Sequence, residues 1–87
     1  MVKRKFNAID LFAGAGGLSL GLELAGVNVV GAVEYCSKAT TTYRHNFPSH
    51  TVICNDITQV PPKQLEEKLL EEQKITIEDI DIVAGGP

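Results

Sequence analysis

Ala8-Ile9-Asp10-Leu11-Phe12-Ala13-Gly14-Ala15-Gly16-Gly17 is a short apolar run closed by a glycine cluster. That combination predicts a strand entering a tight turn. Immediately after it, Leu18, Leu20, Leu22 and Leu24 alternate as in a strand, while the spacings 18/22/25 and 20/24 fit a buried helix. Leu, Glu and Ala favour helix, and Gly26 stands where a left-handed C-terminal cap belongs, so a helix is expected.

Further along, the Val-rich segment Val27 to Val33 predicts a second buried strand, ending at Glu34. Ser37 is placed to cap a helix in which Ala39, Tyr43 and Phe47 share one face and Pro48 marks the end. Thr51 to Cys54 reads as a third strand, followed by Asn55-Asp56. Pro61-Pro62 opens a charged helix, Lys63 to about Gln73, with a narrow stripe of Leu65 and Leu69 and a solvated outer face. Ile80 to Ala84 is the fourth strand, running into Gly85-Gly86-Pro87. The order β-α-β-α-β-α-β predicts an α/β fold with a parallel sheet and covering helices, one half of a doubly wound domain. No internal repeat or linker interrupts it. Ligand contacts are expected at the carboxyl ends of the strands.

At 87 residues the chain allows one domain at most, burying only about 60–65% of its unfolded surface. Hydrophobic residues make up 44% and charged residues 22%, an ordinary globular composition that excludes general disorder. The net charge of −3 argues against a free-standing nucleic-acid binder, because phosphate contacts need clustered Lys and Arg. Asp10 interrupts the apolar stretch after the basic start Met1-Val2-Lys3-Arg4-Lys5, which therefore reads as a solvated N-terminus, not a signal peptide. No uncharged apolar run approaches the ~20 residues that span a bilayer. A soluble protein is expected, cytoplasmic in a bacterium or archaeon and nuclear in a eukaryote. Cys36 and Cys54 show no CxxC or zinc-type spacing, so reduced, buried structural thiols and no metal are expected.

The unusual residues fall at the strand ends: Phe12 and the glycines after the first, Glu34 after the second, Asp56 after the third, and Gly85-Gly86-Pro87 after the fourth. Glycines there let backbone approach a ligand and leave N–H groups open at a helix start. An acid about 20 residues on, ending the second strand, is placed to accept bonds from ribose hydroxyls. Asp56 is an acceptor for an amino group such as that of adenine. Each piece alone also fits a structural role; in series they describe an adenosine-containing cofactor.

These residues resemble the DNA (cytosine-5)-methyltransferases. Asp10-Leu11-Phe12-Ala13-Gly14-Ala15-Gly16-Gly17, with Leu18, looks like the first motif, the loop that holds S-adenosylmethionine. Glu34 matches the ribose-binding acid, and Tyr35 stands where a large side chain packs on adenine. Asn55-Asp56-Ile57 matches the third motif, with Asp56 on the adenine amino group and Ile57 beside the ring. Tyr43-x-x-Asn46-Phe47 fits the helix between these motifs, and only Glu66 to Glu78 looks individual. Gly85-Gly86-Pro87 resembles the approach to the Pro-Cys-Gln nucleophile loop and completes the implied cofactor set.

The resemblance implies a Rossmann-like methyltransferase domain, partial over residues 1–87, that transfers a methyl group from S-adenosylmethionine to C5 of cytosine and leaves S-adenosylhomocysteine. It places the catalytic cysteine just beyond Pro87, so neither Cys36 nor Cys54 is catalytic and the piece alone is expected to be inactive. Double-stranded DNA is the implied partner, through the remainder of the enzyme; self-association or a complementary C-terminal fragment would complete the sheet. Two alternatives stay open. In a nicotinamide- or flavin-binding half, Gly14-x-Gly16 and Glu34 would serve NAD, although Ser19 stands where a third glycine is expected. A non-enzymatic piece would only bind another subunit.

Overall fold

Four parallel strands form the sheet, β1 (Asn7–Leu11), β2 (Asn28–Glu34), β3 (Thr51–Cys54) and β4 (Ile82–Gly85), in the order β3-β2-β1-β4. The structure is a computed structural model and describes residues 5–86. Two expectations therefore lie outside the described residues: the solvated start, Met1 to Arg4, and the role of Pro87. Helices α1 (Gly17–Leu24), α2 (Ser37–Asn46) and α3 (Pro62–Gln73) connect successive strands, and single 3-10 turns occupy Ile57–Gln59 and Ile77–Asp79. The first two crossovers carry the chain toward one edge, and the third returns it past β1 to the other. The carboxyl ends of such a sheet form a crevice where ligands bind.

β2 shows why the sheet is parallel and covered on both faces. Val29, Val30, Ala32 and Val33 are all buried, a continuous apolar run with no solvent side. Ala13, Ala32, Tyr43, Phe47 and Val52 pack on one face; Ile9, Val30 and Leu69, joined by Leu11, Leu65, Ile75 and Ile80, pack on the other. Val30 and Ala32, two residues apart, would share a face in a regular strand. They do not, because Ala8 pairs with Val29 while Ile9 pairs with Gly31, leaving Val30 as a bulge that shifts the alternation.

The β-α order and the third strand match the expectation, and Ala39, Tyr43 and Phe47 line the inner side of α2, with Tyr43 and Phe47 buried. Gly26 takes the expected positive φ just past α1. Four details differ. The expected buried leucine helix turns most of its leucines outward: Leu18, Leu20 and Leu24 are 43%, 51% and 80% exposed, and Ser19 is the buried residue of α1. The cause is a buried carboxylate on β1, Asp10, which draws Ser19 toward the sheet. Ser37 does not cap α2; Cys36 holds the cap position and Ser37 is the first helical residue. Cys36 and Cys54 are free but exposed, not buried, because they sit at the rim beyond the strand ends. The last strand begins at Ile82, not Ile80, since a Thr76–Asp79 capping box makes Ile80 the end of a 3-10 turn.

Gly16 fixes how the turn meets the core. Its φ is 106°, and a Cβ there would overlap the Phe47 ring, which stacks on His50 at 4.8 Å. We expect Gly16→Ala to lower unfolding stability by about 2 kcal/mol or more, from left-handed strain plus overpacking. Gly17→Ala, at a helical position with open space around it, should be neutral or slightly stabilising. Urea denaturation of the two variants makes the comparison.

Candidate functional site

Three strand ends converge on one pocket. Beyond β1, Phe12 adopts φ 57°, a conformation few non-glycine residues take, and its ring is turned toward solvent. β2 ends at Glu34, and the following Tyr35 is 73% exposed. β3 ends at Cys54 and gives way to Asn55, Asp56 and Ile57. Phe12, Val33, Glu34, Tyr35, Asn55, Asp56 and Ile57 line a pocket of about 200 Å³.

Glu34 is held by backbone. Its Oε2 accepts the Cys36 N–H at 2.7 Å and its Oε1 accepts the Gly14 N–H at 2.8 Å. Those bonds, Cys36 first and Gly14 second, hold the acid below the usual carboxylate range against a smaller effect of burial. Asp56 caps the Ile57–Gln59 turn: its Oδ1 accepts the Thr58 N–H at 2.9 Å and the Thr58 hydroxyl at 2.8 Å, which lowers its pKa likewise. Both are charged acceptors at neutral pH, and each carboxylate has about four acceptor positions, so capacity for ligand hydroxyl or amino donors remains. Apolar walls from Phe12, Val33 and Ile57 suit a flat ring. Carboxylates beside an aromatic slot fit an adenosine moiety.

The other expected site residues are distributed around this pocket. Asp10 lies beneath the turn, fully buried: its Oδ2 accepts the Ser19 hydroxyl at 2.6 Å and its Oδ1 makes no hydrogen bond. Burial above all raises its pKa, opposed by hydrogen bonds from Ser19. Ala13 belongs to the core and Leu11 is half-buried against the opposite cluster. Ala15, Gly16 and Gly17 border a second concavity with Leu20, Asn46 and Phe47. Leu18 projects from α1. Gly85 pairs with Leu11 and Gly86 follows it; neither lines the first pocket. Val33 completes the lining without having been expected, and Asn55, part of the third-motif match, lines it too. A chain of polar side chains leading from Asp10 through Ser19 and Tyr43 to His50 and Glu23, apart from this pocket, was not expected either. The one sequence signal for it is a serine set among leucines. Among the described residues no cluster of His, Cys, Asp and Glu could hold a metal ion, and no helix is long and apolar enough to cross a membrane.

The model of the C-5 cytosine-specific DNA methylase family matches residues 6–87. The chain belongs to that family.

Among members of this DNA methylase family, the type II methyltransferase M.DdeI of Desulfomicrobium norvegicum is 43% identical over 81 residues, covering 93% of this chain. M.Sau96I of Staphylococcus aureus, also a type II methyltransferase, is 45% identical over 83 residues, covering 95%. The chain spans only 18% and 17% of these two relatives. A prophage-encoded E. coli protein described as a candidate DNA modification methyltransferase superposes with a TM-score of 0.80 at 35% identity, over 95% of this chain and 22% of that one. The DNMT2 of Spodoptera frugiperda shares the fold, with a TM-score of 0.68 at 22% identity, over 93% of this chain and 22% of that one. The sheet and helices are thus those of the DNA modification methyltransferase fold.

The acids of this chain divide by sign. Glu34, lowered on folding, contributes stability that is present above about pH 4 and is lost as pH falls through its folded value. Asp10, raised on folding, works oppositely: its contribution is full below about pH 4 and is lost as pH rises through its folded value. Accordingly Glu34→Gln should cost about 1 kcal/mol at pH 7, with the difference shrinking in acid. Asp10→Asn should gain stability relative to the parent as pH rises from 4 toward 8. Denaturation across that range reads both signs.

Proposed function

We propose that this chain is the methyl-donor-binding part of a DNA (cytosine-5)-methyltransferase. The observation that carries the reading is the convergence of Phe12, Glu34, Tyr35, Asp56 and Ile57 on one pocket at adjacent strand ends. In this reading Glu34 accepts hydrogen bonds from the ribose hydroxyls, and its clamp by the Gly14 and Cys36 N–H groups keeps it in position without reorganisation. Asp56 accepts from the adenine amino group, and Phe12, Tyr35 and Ile57 flank the ring. The turn from Gly14 to Gly17 and the helix start at Gly17 receive the amino-acid end, with Leu11, Leu18, Gly85 and Gly86 around it. S-adenosylmethionine, when bound, supplies the methyl group.

Methyl transfer to C5 of a cytosine in double-stranded DNA is proposed for a protein of the relatives' length. There a cysteine thiolate adds to C6 of a flipped-out cytosine and makes C5 nucleophilic. In this reading neither Cys36 nor Cys54 serves in that role. A restriction–modification setting and a prokaryotic cytoplasm belong to the same proposal, supported by the type II methyltransferase names and bacterial sources of the relatives.

Isothermal titration of the chain is expected to show S-adenosylhomocysteine binding and no NAD binding. Glu34→Ala should weaken binding by about tenfold or more, since one lost charge-assisted contact is worth about 1.4 kcal/mol or more. Binding of NAD in place of S-adenosylhomocysteine would contradict the reading.

A further inference from the structure

A line of polar side chains crosses the core from β1 to the surface. Ser19 Oγ lies 2.6 Å from Asp10 Oδ2 and 2.8 Å from the Tyr43 hydroxyl; that hydroxyl lies 2.7 Å from His50 Nδ1, and His50 Nε2 lies 3.1 Å from Glu23 Oε2. These hydrogen bonds in series join two carboxylates through side chains that are almost wholly enclosed; the His50 side chain is 5% exposed. Each bond needs its own proton. With both carboxylates ionised, Ser19 and Tyr43 supply one each and a neutral imidazole supplies one, which leaves one of the four bonds without a proton. The completed line carries one extra proton.

With Glu23 ionised, that proton has two balanced placements. In the first, His50 is an imidazolium that donates to Glu23 and to Tyr43, Tyr43 donates to Ser19, and Ser19 donates to ionised Asp10. In the second, Asp10 is protonated and donates to Ser19, Ser19 to Tyr43, and Tyr43 to Nδ1 of neutral His50, whose Nε2–H still donates to Glu23. Moving one proton along each of the three inner bonds interconverts them, with no covalent bond lost between heavy atoms. We propose that Ser19, Tyr43 and His50 form a one-proton relay through which the surface pair His50–Glu23 sets the charge of Asp10 beneath the glycine turn.

The charged and titratable groups facing this line are Glu23 on α1, Tyr43 on α2, and Glu34 on β2, besides Asp10 and His50 themselves. Burial pushes the Tyr43 hydroxyl up to about 12, so it stays a proton carrier and not an anion at neutral pH. Burial also favours a protonated Asp10, with the Glu34 charge adding to that preference. The consequence for ligand binding rests on the donor-site reading above: a change of charge at Asp10 alters the potential just below the turn that receives the donor.

Nitrogen-15 NMR of the two histidines in the full 87-residue chain tests the relay, with His45 as the internal control. At a fixed pH near 6.5, Asp10→Asn should lower the ratio of doubly protonated to neutral His50 by about tenfold, the factor carried by one pH unit of charge coupling. In a Tyr43→Phe background the same change should move that ratio by less than about twofold. Ser19→Ala breaks the line one bond earlier and should uncouple it equally, with circular dichroism reporting that each variant folds. An equal Asp10→Asn effect with and without the Tyr43 hydroxyl would show coupling through space and overturn the relay, as would no effect in either. In a parallel titration, S-adenosylhomocysteine affinity should vary more steeply with pH in the parent than in Tyr43→Phe. Absence of binding would sink the donor-site reading, while the NMR comparison still decides the relay.

Discussion

The Glu34 carboxylate closes on two backbone N–H groups, one from the turn after β1 and one from the start of the segment leading into α2. This clamp is what makes two strand-end loops into one wall of a pocket. It depends on register: Leu11 pairs with Val33, the Ala13 N–H reaches the Val33 carbonyl at 3.1 Å, and Glu34 is thereby brought beside Gly14. The register in turn depends on the bulge at Val30. Because side chains alternate along a strand, a shift of one residue moves every later side chain to the other face. The bulge lets Val30 pack on Leu69 while Ala32 packs toward Tyr43. A small irregularity in the middle of the sheet therefore governs both cores and the phase in which the strand arrives at Glu34.

The same turn separates two kinds of acid. On the pocket side, Glu34 and Asp56 are charged because N–H donors meet them, so they are acceptors prepared before a ligand arrives. On the core side, Asp10 is enclosed, and burial outweighs its hydrogen bonds from Ser19 and raises its pKa. Environment assigns these identical functional groups opposite tendencies a short distance apart. Gly16 packs on the Tyr43 and Phe47 rings.

The sheet was legible in the sequence because parallel strands buried on both faces leave a strong mark, as in Val29 to Val33. The pocket was legible because its residues are odd in their local setting: glycines, acids and exposed aromatics where an apolar strand stops. The orientation of α1 was not. Its leucines fit several faces equally well, and the face was chosen by Ser19 bonding Asp10, a contact nine residues away in sequence. The beginning of β4 was obscured because Ile80 and Asp81 look like strand but belong to the exit of a capped 3-10 turn. Tyr43 was expected only as a core residue, and the link from it to His50 and Glu23 depends on three elements meeting, which no local pattern encodes. Asp10 was grouped with the ligand-contacting residues and instead lies below them, supporting the turn from underneath.

Mapping of backbone amide shifts on adding S-adenosylhomocysteine decides whether the strand-end pocket is the donor site. The largest changes are expected at Phe12, Gly14, Glu34, Tyr35, Asp56 and Ile57, with α3 and the Ile77–Asp79 turn unmoved. Changes concentrated instead at Lys63, Glu67, Leu70 and Ile77, around the separate groove beside α3, would contradict it.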